Sequence, residues 1–314
     1  MIRFIISRAV QAIVVLICIV AITFAILSSV PGSPFRDERA VPEHLLEEMR
    51  AHHWLDKPWY MQLGRYYYNF MIRFDGGPSM SNQGFTVSEL IREAFPISFT
   101  IAMGGLVIAL LLGVPLGVIG AARRNTKVDY FVMGIALVGI CLPTFVIGPL
   151  LSQWLGVGLG WFNAGGWWGS GSDWFLPSLT LGLFFAGYFA RLTRGGMLDV
   201  LNQDFIRTAQ AKGVPEWRIL TVHTLRGGML PAITFMGPAI AGLVGGSFVV
   251  EKVFAIPGQG ILFINAVTNR DQPLIMGCVL VYGVLILIMN FLVDIVQIIL
   301  DPRLRDLDTL QKKN

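Results

Sequence analysis

Asn290 and Asp294 stand four residues apart in an otherwise apolar run, so on a helix they share one face. A carboxylate among apolar residues is costly in a bilayer and usually faces a protein interior or a water-filled cavity. That chemistry suits a polar translocation pathway or a subunit interface. The alternative is a carboxylate close to the headgroups and paired with a neighbouring arginine, because Asp294 is only about 10 Å along a helix axis from Asp301. Glu251 and Lys252 end a second apolar run beside Pro257-Gly258. At an outer rim they would gate a mouth or anchor a helix end.

Other reactive residues do not assemble into sites. His44, His52 and His53 have no HExxH or Cys/His spacing around them, so no metal is expected. Gly169-Ser170-Gly171-Ser172 is not G-x-S-x-G, which leaves an intramembrane hydrolase as a weaker alternative, beside a membrane sensor. Cys18, Cys141 and Cys278 each lie inside a long apolar run and read as small hydrophobes rather than bridge formers. No GxxxxGK[ST] occurs, nor any Gly-Lys dipeptide, so the loop that cradles nucleotide phosphates is missing. If ATP drives a process here, another chain hydrolyses it.

The elements that must position these residues are membrane spans. Of 314 residues, 54% are hydrophobic and 14% charged, against roughly 25% charged in soluble domains. The mean hydropathy is +0.64. A soluble enzyme is excluded, and so is disorder, given 8 Trp, 7 Tyr and 21 Phe. Ala9 to Val30 is uncharged and long enough to cross the bilayer, and it is too long for the apolar centre of a cleaved signal. Further spans are predicted at 94–122, at 130–157, at 174–190, at 227–250 and at 272–300, with an interfacial Gly/Trp loop over 156–172. The fold class is therefore an all-α polytopic membrane protein with six transmembrane helices.

The net charge of +4 does not form a nucleic-acid stripe, since the basic residues are dealt out between the spans. Arg3, Arg8, Arg123, Arg124, Lys127, the arginines and Lys212 of 191–226 and Arg303 to Lys313 all fall on one side of a six-span topology, against Lys252 and Arg270 in the short loops opposite and seven basic residues in 31–93, a loop long enough that the rule weakens. The positive-inside bias then puts both termini in the cytoplasm.

Two stretches outside the spans are long enough to work. The outer one, 31–93, has a helical pattern over Pro42 to His53 and an aromatic run from Trp59 to Phe70 suited to the headgroup level or to an external partner. The inner one, 191–226, repeats Leu198, Leu201, Phe205 and Ala209 at helical spacing before Lys212-Gly213. Gly213 fits a left-handed C-cap, Pro215 a new first turn, and Glu216 the positive end of that turn. The expectation is a helix, glycine, helix elbow whose apolar side is covered by a cytosolic partner.

At this elbow, Arg207-Thr208-Ala209-Gln210-Ala211-Lys212-Gly213 resembles the cytoplasmic loop of ATP-binding-cassette importer permeases, with Arg207, Thr208 and Arg226 where the general pattern has Glu, Ala and Pro. FIRTAQAKG, followed by His223 and Leu230-Pro231, is similar to the peptide-transporter branch. VPGSPF, LDKPWYMQ, DGGPS, NTKVDYFVMG, LPTFVIGPLL, ARLTRGGMLDVL, EKVFAIPGQG, NRD and LDPRLRD extend the resemblance along almost the whole chain. Phe74 before Asp75-Gly76 replaces a more usual Gly. The chain is thereby identified as a member of the OppB/DppB peptide-transporter permease family.

The resemblance implies a type I importer permease fold, with a core over 94–302 between a first span in 1–30, an extracytoplasmic segment 31–93 and a cytoplasmic tail 303–314. It implies as partners a second, OppC-like permease, two OppD/OppF-like ATPases, an OppA-like peptide-binding protein, peptide substrate and membrane lipid. ATP and magnesium would sit in the ATPases, with no cofactor in this chain. Dipeptides or nickel complexes are the alternative substrates within the branch. The expected ATPase contacts are Arg207, Lys212 and Glu216 through polar groups, Ala209 and Ala211 through close packing, and the neighbouring Thr208, Gly213 and Pro215 through the bend. Read from their own placement rather than from the resemblance, Glu251, Asn290 and Asp294 are the candidates for a translocation pathway or gate, with anchoring and headgroup pairing as the alternatives.

Overall fold

The computed structural model describes residues 2–29, 47, 51, 54–73, 75–82 and 84–300. The helical pattern expected over Pro42 to His53, the three outer-loop histidines, Phe74, Asp301 and the tail 303–314 lie outside the described residues, apart from Glu47 and Ala51. The described chain is helical, with one antiparallel bridge between Pro78 and Thr86. Among the described residues, five helices are long and apolar enough to cross a membrane: α1 (Ile2–Ser29), α3 (Val87–Ala122), α6 (Phe175–Leu201), α10 (Leu230–Phe254) and α12 (Gln272–Leu300). The sixth expected span is a bent pair, α4 (Lys127–Cys141) and α5 (Thr144–Leu151), the latter continued by a π-helical stretch Ser152–Gly158.

The bend is 102°, which corrects the expectation of one helix over 130–157. Its cause is local. Pro143 disfavours the α conformation at the residue before it, and Leu142 is extended at φ −82° and ψ 121°. Each half is 15 residues, or about 22 Å, short of the roughly 30 Å hydrocarbon core. The helix of the fourth span continues past Ala190 to Leu201 and carries Arg191 and Arg194 with it.

Two compact units divide the chain: residues 1–97 with 258–287, and residues 98–257 with 288–314. In the first, α1 packs with α2 (Trp59–Tyr67), its π-helical extension Tyr68–Arg73, the start of α3, α11 (Gln259–Thr268) and the first half of α12. Val87, Ile91, Leu274, Ile275 and Cys278 form one buried cluster, and Val20, Phe24 and Met276 another. The α3 start is a capping box: Thr86 Oγ1 accepts from Glu89 N, and Glu89 Oε2 accepts from Thr86 N. Asp271, fully buried, accepts from Leu274 N at the head of α12 and from Ser79 Oγ, Ser81 N and Ser81 Oγ of the loop before α3.

The second unit is built on close approach of α6 to α3 and α4. A Cβ on Gly113 or Gly117 would fall 2.6 Å from the carbonyls of Ala186 and Ala190 respectively, so glycine is what lets α3 and α6 pack there, as small residues do between membrane helices. The loop between α5 and α6 is tied by Asp173, 5% exposed. Its carboxylate accepts from Asn163 Nδ2 at 2.5 Å, Trp168 N at 2.7 Å, Ser170 N at 3.2 Å and Ser170 Oγ at 2.5 Å. Burial works against its charge, but hydrogen bonds from Ser170, Asn163 and Trp168 outweigh it and hold the carboxyl down at about 2.

Candidate functional site

The elbow has the expected break but a different start. Its first helix is not continuous from Leu198 to Ala209: α6 ends at Leu201, Asn202 and Gln203 turn, and α7 (Asp204–Ala211) follows. Lys212 caps α7, and Gly213 takes φ +75°, where an L side chain is strained, although no atom lies within 4 Å of the place a Cβ would take. Val214 N donates to Ala209 O and Gly213 N to Gln210 O, closing the helix end. Pro215, at φ −64° and ψ 145°, is the residue before α8 (Glu216–Arg218), so it caps the new helix instead of opening its first turn, and Glu216 stands at the positive end. A π-helical stretch Ile219–Thr224 and α9 (Leu225–Gly228) return the chain to α10.

Part of the elbow's apolar side is covered from within, which corrects the expectation that only a partner could bury it. Ile206 and Ile219 are buried with Val200 and flanked by Leu201 and Val214, so both arms close on their own small core. What stays open is a mixed surface. Phe205 is 48% exposed and Trp217 66%. Arg207, Thr208, Ala211, Lys212, Gly213, Pro215 and Glu216 are exposed with them, and Ala209 is half-buried. Arg207 pairs loosely with Asp204 at 3.7 Å, and Thr208 Oγ1 donates to Asp204 O. An exposed surface with two aromatics among charges has the composition of a protein interface rather than of a catalytic pocket.

The elbow's root is fastened by residues that sequence reasoning did not single out. Arg194 of α6 reaches Asp129 of α4 with two bonds of 2.6 Å, Nε to Oδ1 and Nη2 to Oδ2. Asp129 is 1% exposed and also accepts from Asn125 N at 2.9 Å, while Thr126 Oγ1 accepts from Asp129 N. Arg124 Nη1 donates to Asn202 Oδ1 at 3.2 Å, at the hinge between α6 and α7. The α3–α4 turn is thus joined to α6 before the elbow and at its first residue. Asp129 and Arg194 lie within the stretches NTKVDYFVMG and ARLTRGGMLDVL that carry the family resemblance, but a carboxylate three residues after a Thr cap by itself reads as helix capping.

The pathway residues do not gather into one cluster. Glu251 lies in the last turn of α10, where its carbonyl accepts the capping N–H, but its side chain is fully buried and accepts from Ser98 Oγ at 2.6 Å, so it is not on an exposed rim. Lys252 is exposed. Asn290 and Asp294 are half-buried on α12. Asn290 is seated against Gly237 of α10, where its Oδ1 fills the space a Cβ would take. Among the described residues no group of His, Cys, Asp and Glu could hold a metal ion.

Comparison with known proteins bears on this arrangement. Residues 113–306 match the family described as binding-protein-dependent transport system inner membrane component, and residues 1–102 match its N-terminal companion. The chain is 40% identical over 305 residues to the dipeptide transport system permease protein DppB of Bacillus subtilis, covering 97% of this chain and 98% of that protein. It is 38% identical over 309 residues to the oligopeptide transport system permease protein OppB of Salmonella typhimurium, covering 97% and 100%. Its fold is similar to a chain in the inward facing MetNI methionine ABC transporter, with a TM-score of 0.58 at 18% identity, over 68% of this chain and 97% of that one.

Proposed function

This chain belongs to the family of binding-protein-dependent transport system inner membrane components, and on that premise we propose that it passes oligopeptides, delivered by an extracytoplasmic binding protein, through an ATP-driven importer. The observation that carries the reading is the elbow, a self-supported helix, glycine, helix lever with an open Phe205 and Trp217 surface, in a chain that matches peptide permeases end to end. The chain itself is non-catalytic. ATP and magnesium belong to two ATPase subunits that dock on Arg207, Thr208, Ala209, Ala211, Lys212, Gly213, Pro215 and Glu216.

A second, similar permease completes the channel. Both termini and residues 191–226 face the cytoplasm, and 31–93 faces the binding protein, with the permease core over 94–302. Glu251, Asn290 and Asp294 serve the pathway or its gate, supported by their being polar groups held on otherwise apolar helices. Dipeptides are the second reading, since the Bacillus relative is a dipeptide permease.

The test is mass spectrometry of what copurifies with the tagged chain in mild detergent, followed by uptake of labelled dipeptides and pentapeptides by the recovered complex. A second permease, ATPases and a binding protein are expected, with pentapeptide uptake. Recovery of the chain alone overturns the importer reading, and uptake confined to dipeptides overturns the oligopeptide one.

A further inference from the structure

Beside the Asp129–Arg194 pair, a groove of about 490 Å³ opens between α4 and α6, lined by Met133, Leu137, Arg191 and Arg194. The lining is split by chemistry. Met133 and Leu137 lie one turn apart on α4, and Arg191 and Arg194 one turn apart on α6, so an apolar wall faces a cationic one. Arg194 has spent two donors on Asp129 and its side chain remains 27% exposed. The Arg191 guanidinium is exposed and has no hydrogen-bond or ion-pair partner among the described residues. Asp129, the acid beside the groove, is neutralised by Arg194 and is 1% exposed. The groove therefore carries a net positive charge.

We propose that this groove binds the headgroup of an anionic phospholipid, with the phosphate on Arg191 and Arg194 and an acyl chain along Met133 and Leu137. Two observations favour lipid over a water-soluble anion. The groove continues onto an apolar flank of α4, where Tyr130 and Phe131 are each 69% exposed, Leu137 50% and Val138 56%. Met133 also lies about 9 Å along the axis from Lys127, the depth at which headgroups give way to chains. Basic pockets between helices at the cytoplasmic face suit anionic headgroups. The proposal rests on the reading that residues 191–226 face the cytoplasm. It links the lipid to the elbow, because Arg194 both lines the groove and fastens the elbow's root.

The experiment reconstitutes the complete importer in phosphatidylcholine vesicles doped with phosphatidylglycerol bearing a photoactivatable acyl chain, and maps the labelled peptides. Label on Met133 or Leu137 is expected, reduced about fivefold or more in Arg191→Gln, as one surface charge is worth, and retained in Arg191→Lys. Excess inorganic phosphate should leave it unchanged. Equal labelling by a phosphatidylcholine analogue, undiminished labelling in Arg191→Gln, displacement by inorganic phosphate, or a crosslink from this face to a second permease in place of lipid would each overturn the site. ATPase subunits counted in the same preparations separate failure of this site from failure of the importer reading.

Discussion

Removing Arg194 isolates the strongest polar contact near the elbow. In Arg194→Ala, Asp129, which is 1% exposed in the intact chain, loses two charged bonds of 2.6 Å and keeps Asn125 N as its one donor from outside its own helix. Breaking a buried pair from one side costs about 3–5 kcal/mol, because the charge left behind is unpaired. Asp129→Asn should cost less, about 1–2 kcal/mol, since Arg194 is 27% exposed and can turn its guanidinium to water. Replacing both by leucine should recover much of the loss. The assay is thermal unfolding of the purified chain in a double-mutant cycle, with the ratio of peptide uptake to ATP hydrolysis measured on the assembled importer. A coupling energy below about 0.5 kcal/mol, or Asp129→Asn being the more damaging variant, would refute the argument. A purely structural role would lower stability and leave the uptake ratio of the surviving complex unchanged.

Gly237→Ala should destabilise by about 1–3 kcal/mol through collision with Asn290, and Asn290→Ala in the same chain should relieve it, as melting curves of the three variants will show. Gly213→Val meets no neighbour yet forces a β-branched residue to φ +75° at a cost of about 1–2 kcal/mol, so membrane insertion should persist while uptake per ATP falls; normal coupling would contradict the lever. Trp217→Ala, which removes a side chain 66% exposed in the isolated chain, should weaken ATPase retention about tenfold or more with the fold intact by circular dichroism. Because the Asp173 carboxyl is held below its ordinary range, its fastening of the α5–α6 loop is complete above that range and is lost as pH falls through about 2. Tryptophan fluorescence of this loop should therefore stay constant from neutral pH to about 4, whereas Asp173→Asn should loosen it at every pH.

Much of the architecture was legible without coordinates, because apolar length acts locally. The last span, Gln272–Leu300, coincides with its expected bounds, and the Gly213 bend follows from one residue's tolerance of positive φ. The elbow itself was also readable from its helical spacing, although Ile206 and Ile219 close part of its apolar side without a partner. What escaped was anything that depended on a neighbour distant in the chain. The 102° turn at Pro143 had a local signal, yet an uncharged run reads as one span unless the effect of proline on Leu142 is followed through. The self-burial of Ile206 on Ile219, the seat of Asn290 on Gly237, and the burial of Glu251 beside Ser98 each join residues far apart in sequence. Sequence by itself determined which segments enter the bilayer and where the chain can bend, since hydropathy and backbone freedom belong to single residues. Only the tertiary structure decided which polar groups are paired, as with Asp129 and Arg194, because satisfying a buried charge requires a partner that packing alone brings within reach.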